Sequence, residues 1–324
     1  MKRRDLPAAI AALAGIATSR GAFAQDAFPS RPLKLVVPWA AGGVNDSLGR
    51  LAADRMGAVL KQSIVADNRA GGNGVIGTQT VLQAPPDGYT MLLTTSGQHV
   101  LSVALGIKLP YQPLNDLTHI AQIGEFPLVL VAKPSFAANT LPELLALAKS
   151  KPGKLNVAVS GIGAISHLTA ERLMGDSGTS MTVVNYKGEA PSIQAAMAGE
   201  VDFAIVAQAT SQIREKLLKA IATTGPKRWN MLPEVPTLIE GGLPGFTAGG
   251  WSGLAVSAKT SPQVVDVLAR AARTALDTDD VRTVLRSRGV EPMLKTPAEL
   301  IAMMRADAEK YRVLVQSRNI KLES

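Results

Sequence analysis

A chain of 324 residues that is 46% hydrophobic is too long for one ordinary domain and fits two, each with ample core; with no cysteine it offers neither a disulfide framework nor a thiolate metal site. The formal charge is +8, but the basic residues are thinly spread and aromatics make up only 4%, which excludes the stacking-plus-phosphate surface of a nucleic-acid binder. No segment reaches the roughly 18–20 uninterrupted apolar residues of a membrane span.

The first residues read as an export signal. Lys2, Arg3 and Arg4 form a basic start, an apolar run extends from Leu6 to about Thr18, and Ala22-Phe23-Ala24 gives a small-x-small cleavage site. Residues 1–24 are therefore expected to be a signal peptide and the mature protein to lie in the periplasm. The residues around Arg3-Arg4 fit twin-arginine export poorly, so ordinary secretion is preferred. Cleavage removes Lys2, Arg3, Arg4 and Arg20 against Asp5 and lowers the charge from +8 to +5.

From Pro32 the pattern is strand, loop, helix, repeated. Leu33–Val37 reads as a strand stopped by Pro38, followed by a small-residue loop to Gly42-Gly43 and a helix from Asp46 to Leu60, with Asp46 or Ser47 as cap. Such a unit leaves free N–H groups at the helix start, where the dipole favours an anion. A second strand (63–67), a glycine-rich loop (68–74), a helix (75–83), a turn at Pro85-Pro86-Asp87-Gly88 and a third strand (90–94) follow, and Ser96-Gly97-Gln98-His99 reads as another small polar loop. Strands are expected at 118–124 and 128–132, interrupted by Glu125-Phe126-Pro127, then a helix at 141–149 capped by Thr140.

The opening arrangement then recurs: strand 155–159 enters Ser160-Gly161-Ile162-Gly163 and a helix over 168–174. Strands at 182–186, 201–206 and 218–223 and a helix at 192–198 complete this half, and the proline-rich stretch from Pro226 to Pro244 reads as exposed connection. Extended residues 248–256 and helices 262–276, 279–288 and 297–315 end the chain. Alternating units imply parallel sheets covered by helices. The expected fold is α/β with two lobes, residues 25–125 plus 248–324 and residues 126–247, joined by two crossovers, with a ligand cleft outside the carboxyl ends of the strands.

The residues also carry a resemblance. Pro29-Ser30-Arg31-Pro32, the first strand and loop with Asp46 and Arg50, Asp67-Asn68-Arg69-Ala70-Gly71-Gly72, Ala84-Pro85-Pro86-Asp87-Gly88-Tyr89, Ser160-Gly161-Ile162-Gly163 with Ser166-His167-Leu168, Tyr186-Lys187-Gly188, Pro233-Glu234-Val235-Pro236-Thr237 and Gly242-Leu243-Pro244-Gly245-Phe246 together resemble the Bug (TctC-like) proteins. These are periplasmic solute-binding components of tripartite tricarboxylate transporters, and the match spans essentially the whole mature chain. The resemblance implies a type II periplasmic-binding-protein (Venus-flytrap) fold that closes on a small carboxylate and presents it to membrane permease subunits. It points to Ala40, Ala41, Gly42, Gly43 and Asp46 in the first loop and to Ser96 and Gly97 after the third strand. From the second lobe it points to Ser160, Gly163, Ser166, His167, Tyr186, Lys187 and Gly188. Where the family often has an Asp-Asn pair, this chain has Ala207-Gln208; Gln208 replaces an acid suited to a ligand ammonium, which leans toward a plain carboxylic acid. Trp39 stands where a smaller aromatic is common and is expected to narrow the site.

Other chemistries find little support. Gly161-x-Gly163-x-x-Ser166 lacks the third glycine of a dinucleotide fingerprint, and the next strand ends in Asn185-Tyr186 rather than an acid. His99, His119 and His167 are not at metal-ligand spacing, and no G-x-S-x-G elbow occurs. His167, at a helix start, reads equally as a ligand donor or as a capping residue. The expectation is a monomeric, non-enzymatic carboxylate-binding protein without cofactor, metal or nucleic-acid partner. A carboxylate-responsive sensor for a membrane signalling protein and an α/β enzyme acting on a carboxylate remain as alternatives.

Overall fold

The computed structural model describes residues 28–42, 44–318 and 320; the signal-peptide reading of residues 1–24 and the site assignment of Gly43 lie outside the described residues. The chain runs β1 (Leu33–Val37), α1 (Val44–Leu60), β2 (Ile64–Asn68), α2 (Val75–Gln83), β3 (Thr90–Thr95), a wide helical turn over Gly97–Leu101, α3 (Ser102–Ala104) and β4 (Leu117–Pro127). Next come β5 (Val129–Ala132), α4 (Leu141–Ser150), β6 (Asn156–Val159), α5 (Ile165–Ser177), β7 (Thr182–Asn185), α6 (Glu189–Ala198), β8 (Phe203–Val206), α7 (Thr210–Arg214) and β9 (Lys219–Thr223). The last part is β10 (Gly249–Ser257), α8 (Pro262–Leu276), α9 (Asp279–Ser287), β11 (Glu291–Pro292) and α10 (Pro297–Ser317).

Two sheets form, ordered β11-β4-β10-β3-β1-β2 and β7-β6-β8-β5-β9. In the first, β2, β1 and β3 are parallel and β10 lies antiparallel between β3 and β4. In the second, β7, β6 and β8 are parallel and β5 lies antiparallel between β8 and β9. The wholly parallel sheets expected from strand–helix alternation are thus mixed, for a geometric reason. β4 leaves the first sheet at its carboxyl edge and continues directly as β5, so β5 enters the second sheet from that sheet's own carboxyl edge and must run against its neighbours. β10, returning, does the same to the first sheet.

The break expected at Glu125-Phe126-Pro127 is absent, because β4 stays paired with β10 through Pro127↔Gly249 and Phe126↔Gly250. Glycine on the partner strand makes this close pairing possible: a Cβ on Gly249 would stand 2.4 Å from the Phe126 carbonyl oxygen, and one on Gly250 2.3 Å from the Phe126 ring.

Local chemistry places the helix starts. Thr140, Ser261, Thr278 and Thr296 accept from backbone N–H groups three residues on, and Thr296 forms a reciprocal capping box with Glu299. Pro262 and Pro297 sit in the first turns of α8 and α10, where no N–H is needed. Helices α1, α5 and α6 begin two or three residues earlier than their apolar periodicity indicates. Their first turns are polar or glycine-flanked, so the periodic signal starts late.

Each sheet carries its own core. Leu35, Leu48, Met56, Leu93, Leu254 and Leu276 are packed on the first, and Leu130, Leu144, Val157, Leu173, Phe203 and Ile205 on the second, all 1% exposed or less. Truncating any one of these large side chains to alanine is worth roughly 2–5 kcal/mol. The proline-rich stretch is not the exposed connection expected: Trp229, Leu232, Val235, Leu238 and Phe246 are buried against the second sheet's cores. Prolines space the turns there, and the apolar residues between them point inward. A further cluster joins Val100 and Leu101, Leu168 of α5, Trp251 of β10 and Leu300, Met304 and Tyr311 of α10, so α10 packs on parts of both halves.

Candidate functional site

The two antiparallel insertions fix how the sheets face. A strand can pass straight from one carboxyl edge into the other sheet and run backwards only if the two carboxyl edges look at each other. The packing agrees: Val100 and Leu101, after β3, share one apolar cluster with Leu168 of α5, against which Ile165 also packs. A cavity of about 290 Å³ is bounded by Val44 of α1 from one side and by Ala207, Gln208 and Thr210, after β8, from the other. The carboxyl edges of the two sheets, from which the loops following β1, β3, β6, β7 and β8 emerge, therefore face each other.

The first loop is held by a brace. β1 ends at Val37, and Ala40, Ala41 and Gly42 are exposed, with Gly42 at φ +89°. Asp46 lies inside the first turn of α1 rather than capping it, and is only 5% exposed. Its carboxylate accepts from the Gly42 N–H (2.9 Å), from Arg50 Nε (3.1 Å) and from Asn68 Nδ2 (2.9 Å). The Arg50 guanidinium, helped by the Gly42 and Asn68 donors, holds the Asp46 carboxyl down to about 2. Asn68 also donates to the Trp39 carbonyl (3.0 Å), and Arg50 Nη2 donates to Asn68 Oδ1 (2.9 Å). Asp46 thus turns its charge inward to shape the loop.

After β3, the buried Ser96 accepts from the Trp251 N–H through Oγ (3.3 Å), tying this loop to the returning strand, and Gly97 faces open space. Asn45 is bound to the same strand, its Oδ1 accepting from Ser252 Oγ at 2.9 Å. On the second half, Ser160 donates from its backbone N–H to Ser166 Oγ (3.0 Å), and the two hydroxyls lie 2.9 Å apart. The Gly163 N–H donates to His167 Nδ1 (2.9 Å), which places the His167 proton on Nε2, 3.8 Å from Glu171 Oε1. Burial lowers the His167 pKa against the pull of Glu171, so the ring is neutral near pH 7. His167 thus braces the Gly163 loop through Nδ1, and its Nε2–H stays available as a donor.

Tyr186 is half-buried, Lys187 exposed and Gly188 at φ +111°, opening α6. Glu189, which sequence reasoning passed over, accepts the Ala207 N–H at 2.9 Å and so anchors the loop that presents the exposed Gln208. Its burial pushes the carboxyl up.

The assigned residues are therefore brought together in pairs within loops, Gly42 with Asp46, Ser160 with Ser166 and Gly163 with His167, and of them Gln208 lines the cavity between the sheets. The Gly42 and Gly163 N–H groups are occupied internally. Those of Ala40, Ala41, Gly161 and Ile162 have no intramolecular partner among the described residues. No side-chain cap competes at the start of α5. Two strand–loop–helix units offering free N–H groups from opposite sides suit a small anion. No cluster of three or more metal-ligating side chains occurs among the described residues.

Comparison with known proteins shows the family and the fold. Residues 48–320 match the family model described as the tripartite tricarboxylate transporter family receptor, TctC. Protein BugT of Bordetella pertussis is 32% identical over 316 residues, covering 96% of both chains. Among solved structures, an R. palustris protein with adipate superimposes with a TM-score of 0.80 at 29% identity, over 91% of this chain and 99% of that one. MatC from Rhodopseudomonas palustris with bound malate gives a TM-score of 0.74 at 34% identity, over 89% of this chain and all of the other.

Proposed function

Because the chain belongs to the tripartite tricarboxylate transporter receptor (TctC) family, we propose that it is an exported, non-enzymatic solute-binding protein that captures a small carboxylate between its two sheets. We further propose that it delivers the ligand to the permease subunits of such a transporter. The observation that supports the reading is the pair of strand–loop–helix units at facing sheet edges whose Ala40–Ala41 and Gly161–Ile162 N–H groups have no partner among the described residues. In a water-poor cleft each hydrogen bond to a charged oxygen is stronger than in solvent, so neutral donors suffice without an arginine clamp. Adipate and malate in structurally similar relatives support a ligand of this class.

Within this reading Asp46, His167 and Ser166 position the loops, while Ala40, Ala41, Ser160, Gly161, Ile162, Ser96, Gly97, Tyr186, Lys187 and Gln208 border the ligand. Localisation to the periplasm and a monomeric state belong to the same proposal. Calorimetry of the mature protein with a panel of mono-, di- and aromatic carboxylic acids, amino acids and uncharged sugars tests it. At least one carboxylate should bind, and Ser160→Ala should weaken that binding more than the surface control Glu309→Ala. Binding of sugars alone, with no carboxylate active, would overturn it.

A further inference from the structure

The cavity of about 290 Å³ between the sheets is bounded by more than the loops assigned to a carboxylate. Its wall also takes in Phe126 of β4, Trp229 and Met231 after β9, and the corner Ser287–Val290 that ends α9. Val44, which opens α1 after the Ala40–Gly42 loop, lines it as well, so the cavity adjoins the first loop.

Among the described residues in this lining, Arg288 is the one that carries a charge. It follows the last turn of α9 and reaches the first turn of α1, where its Nη1 donates to the Ser47 carbonyl at 3.1 Å. That leaves the Nε–Nη2 edge, by which a guanidinium grips a carboxylate side-on, with no hydrogen-bond or carboxylate partner among the described residues. Acids on adjoining elements are engaged elsewhere. Asp46 is held by Arg50 (3.1 Å), Glu291 by Lys227 (3.6 Å) and Arg286 (3.4 Å), and Glu189 accepts the Ala207 N–H (2.9 Å). The rest of the wall is neutral: Gln208, Thr210 and Ser211 supply polar groups, and Phe126, Trp229 and Met231 apolar surface. A cation in a partly apolar cavity, with no counter-charge in the lining, suits an acid group joined to an apolar chain.

We propose that Arg288 is a specificity-determining residue of the cleft, holding the second acid group of a ligand that bears one at each end. This rests on the carboxylate reading above, in which backbone N–H groups of the facing loops take the first carboxylate without an arginine. A ligand with a single acid group leaves the guanidinium edge unpaired in a water-poor cleft, whereas a diacid satisfies both ends. Discrimination comes from that unmet charge, because a site built to pair a group rejects the analogue that lacks it.

The test is calorimetry of the mature protein with succinate, glutarate and adipate, each beside its monoamide, which keeps the length and removes one charge. At least one diacid should bind roughly tenfold tighter than its monoamide, about 1.4 kcal/mol, well beyond the statistical factor of about two that equivalent ends provide. Arg288→Gln should cut the ratio to that statistical value with little change for the monoamide, and Arg288→Lys should restore part of it. Lys154→Gln, the same charge change on the exposed turn between α4 and β6, should leave the wild-type ratio. If Arg288 served only to hold Ser47, Arg288→Gln would weaken diacid and monoamide equally, which would overturn the proposal. So would a statistical ratio in wild type for every pair, or a wild-type ratio retained in Arg288→Gln. In each of these results carboxylates still bind and the reading of the cleft stands. If no diacid binds, the proposal falls, and the wider panel of acids in the preceding experiment decides the reading itself.

Discussion

Asp46 shows how one side chain converts an acid in an anion-binding loop from a liability into a support. Its carboxylate satisfies the Gly42 N–H, Arg50 and Asn68 at once, so its charge is neutralised before a ligand arrives. Asp46→Asn keeps the size but removes charge-assisted hydrogen bonds worth about 1–3 kcal/mol in total. The expected outcome is lower stability and weaker carboxylate binding, read by urea unfolding and calorimetry on the same sample. The pH dependence follows from a folded-state pKa held at about 2, below the ordinary 3.8. A depressed carboxyl stabilises the fold fully above its unfolded pKa and loses that contribution as pH falls toward its folded value. Wild type should therefore shed this part of its stability between about pH 4 and pH 2, and Asp46→Asn should lack that step. Parallel acid-unfolding curves for the two proteins would remove Asp46 from the role. Little of this was readable beforehand: the sequence shows an acid near a helix start, but whether it caps, binds ligand or braces depends on where Arg50 and Asn68 fall in space. The same holds for His167, whose 2.9 Å contact with the Gly163 N–H, a brace within the loop, depends on a fold the local sequence does not show.

At the scale of elements, the strand–loop–helix units of both halves are legible because their signals are local: apolar runs for β1, β3, β6 and β8, then small residues, then helical periodicity. Strand insertion is not local. Nothing within Gly249–Ser257 says that this segment lies between β3 and β4, and only Gly249, Gly250 and Gly253, each with too little room for a Cβ, hint at a crowded centre. One consequence concerns the face of the first sheet under the Ser96–Gly97 loop. There His99, from the turn after β3, and His119, from β4, pack edge to face at 5.9 Å, both 3% exposed or less. Burial drives both pKa values down, that of His119 to about 4, with the neighbouring ring adding to the effect on His99. Tyr111 is the other titratable group against them, and burial pushes its hydroxyl up, so no negative charge offsets a proton on either ring. Because the unfolded chain binds protons that the folded one refuses, stability must fall as pH drops below about 6.5, by up to about 1.4 kcal/mol per pH unit for each ring. Urea unfolding between pH 7.5 and pH 4 should show this slope, and His119→Gln should make it shallower. An unchanged slope would mean that the pair does not stay neutral in the fold.

For the whole molecule, the question is what sets the angle between the halves. Two adjacent strands, β4 and β10, give a hinge but no stop. A third connection lies on the corner after α9, where Trp229 Nε1 donates to the Gly289 carbonyl (2.9 Å), Asn230 donates to the Arg286 carbonyl (3.2 Å) and Lys227 pairs with Glu291 (3.6 Å). Trp229 is 6% exposed, so its indole hydrogen bond is shielded from water, whereas the lysine pair is exposed and worth little. Gly289 is required twice over: at φ +76° it closes the end of α9, and a Cβ there would stand 2.6 Å from the Trp229 ring. Gly289→Ala should therefore strain the turn and push the indole out, releasing the corner. Trp229→Phe should remove the hydrogen bond, about 1 kcal/mol, and part of the ring's packing, without straining the turn. If this corner limits opening, ligand-free Gly289→Ala should show a larger radius of gyration by solution scattering than wild type, with Trp229→Phe between them. A saturating carboxylate should restore the compact value in both variants, because ligand contacts across the cleft replace the lost stop. Identical ligand-free scattering in all three proteins would show that this corner does not set the angle, leaving it to the hinge strands and to α10, which packs on both halves. In that case the Trp229 contact would serve stability only, visible as a lower unfolding midpoint with unchanged carboxylate affinity.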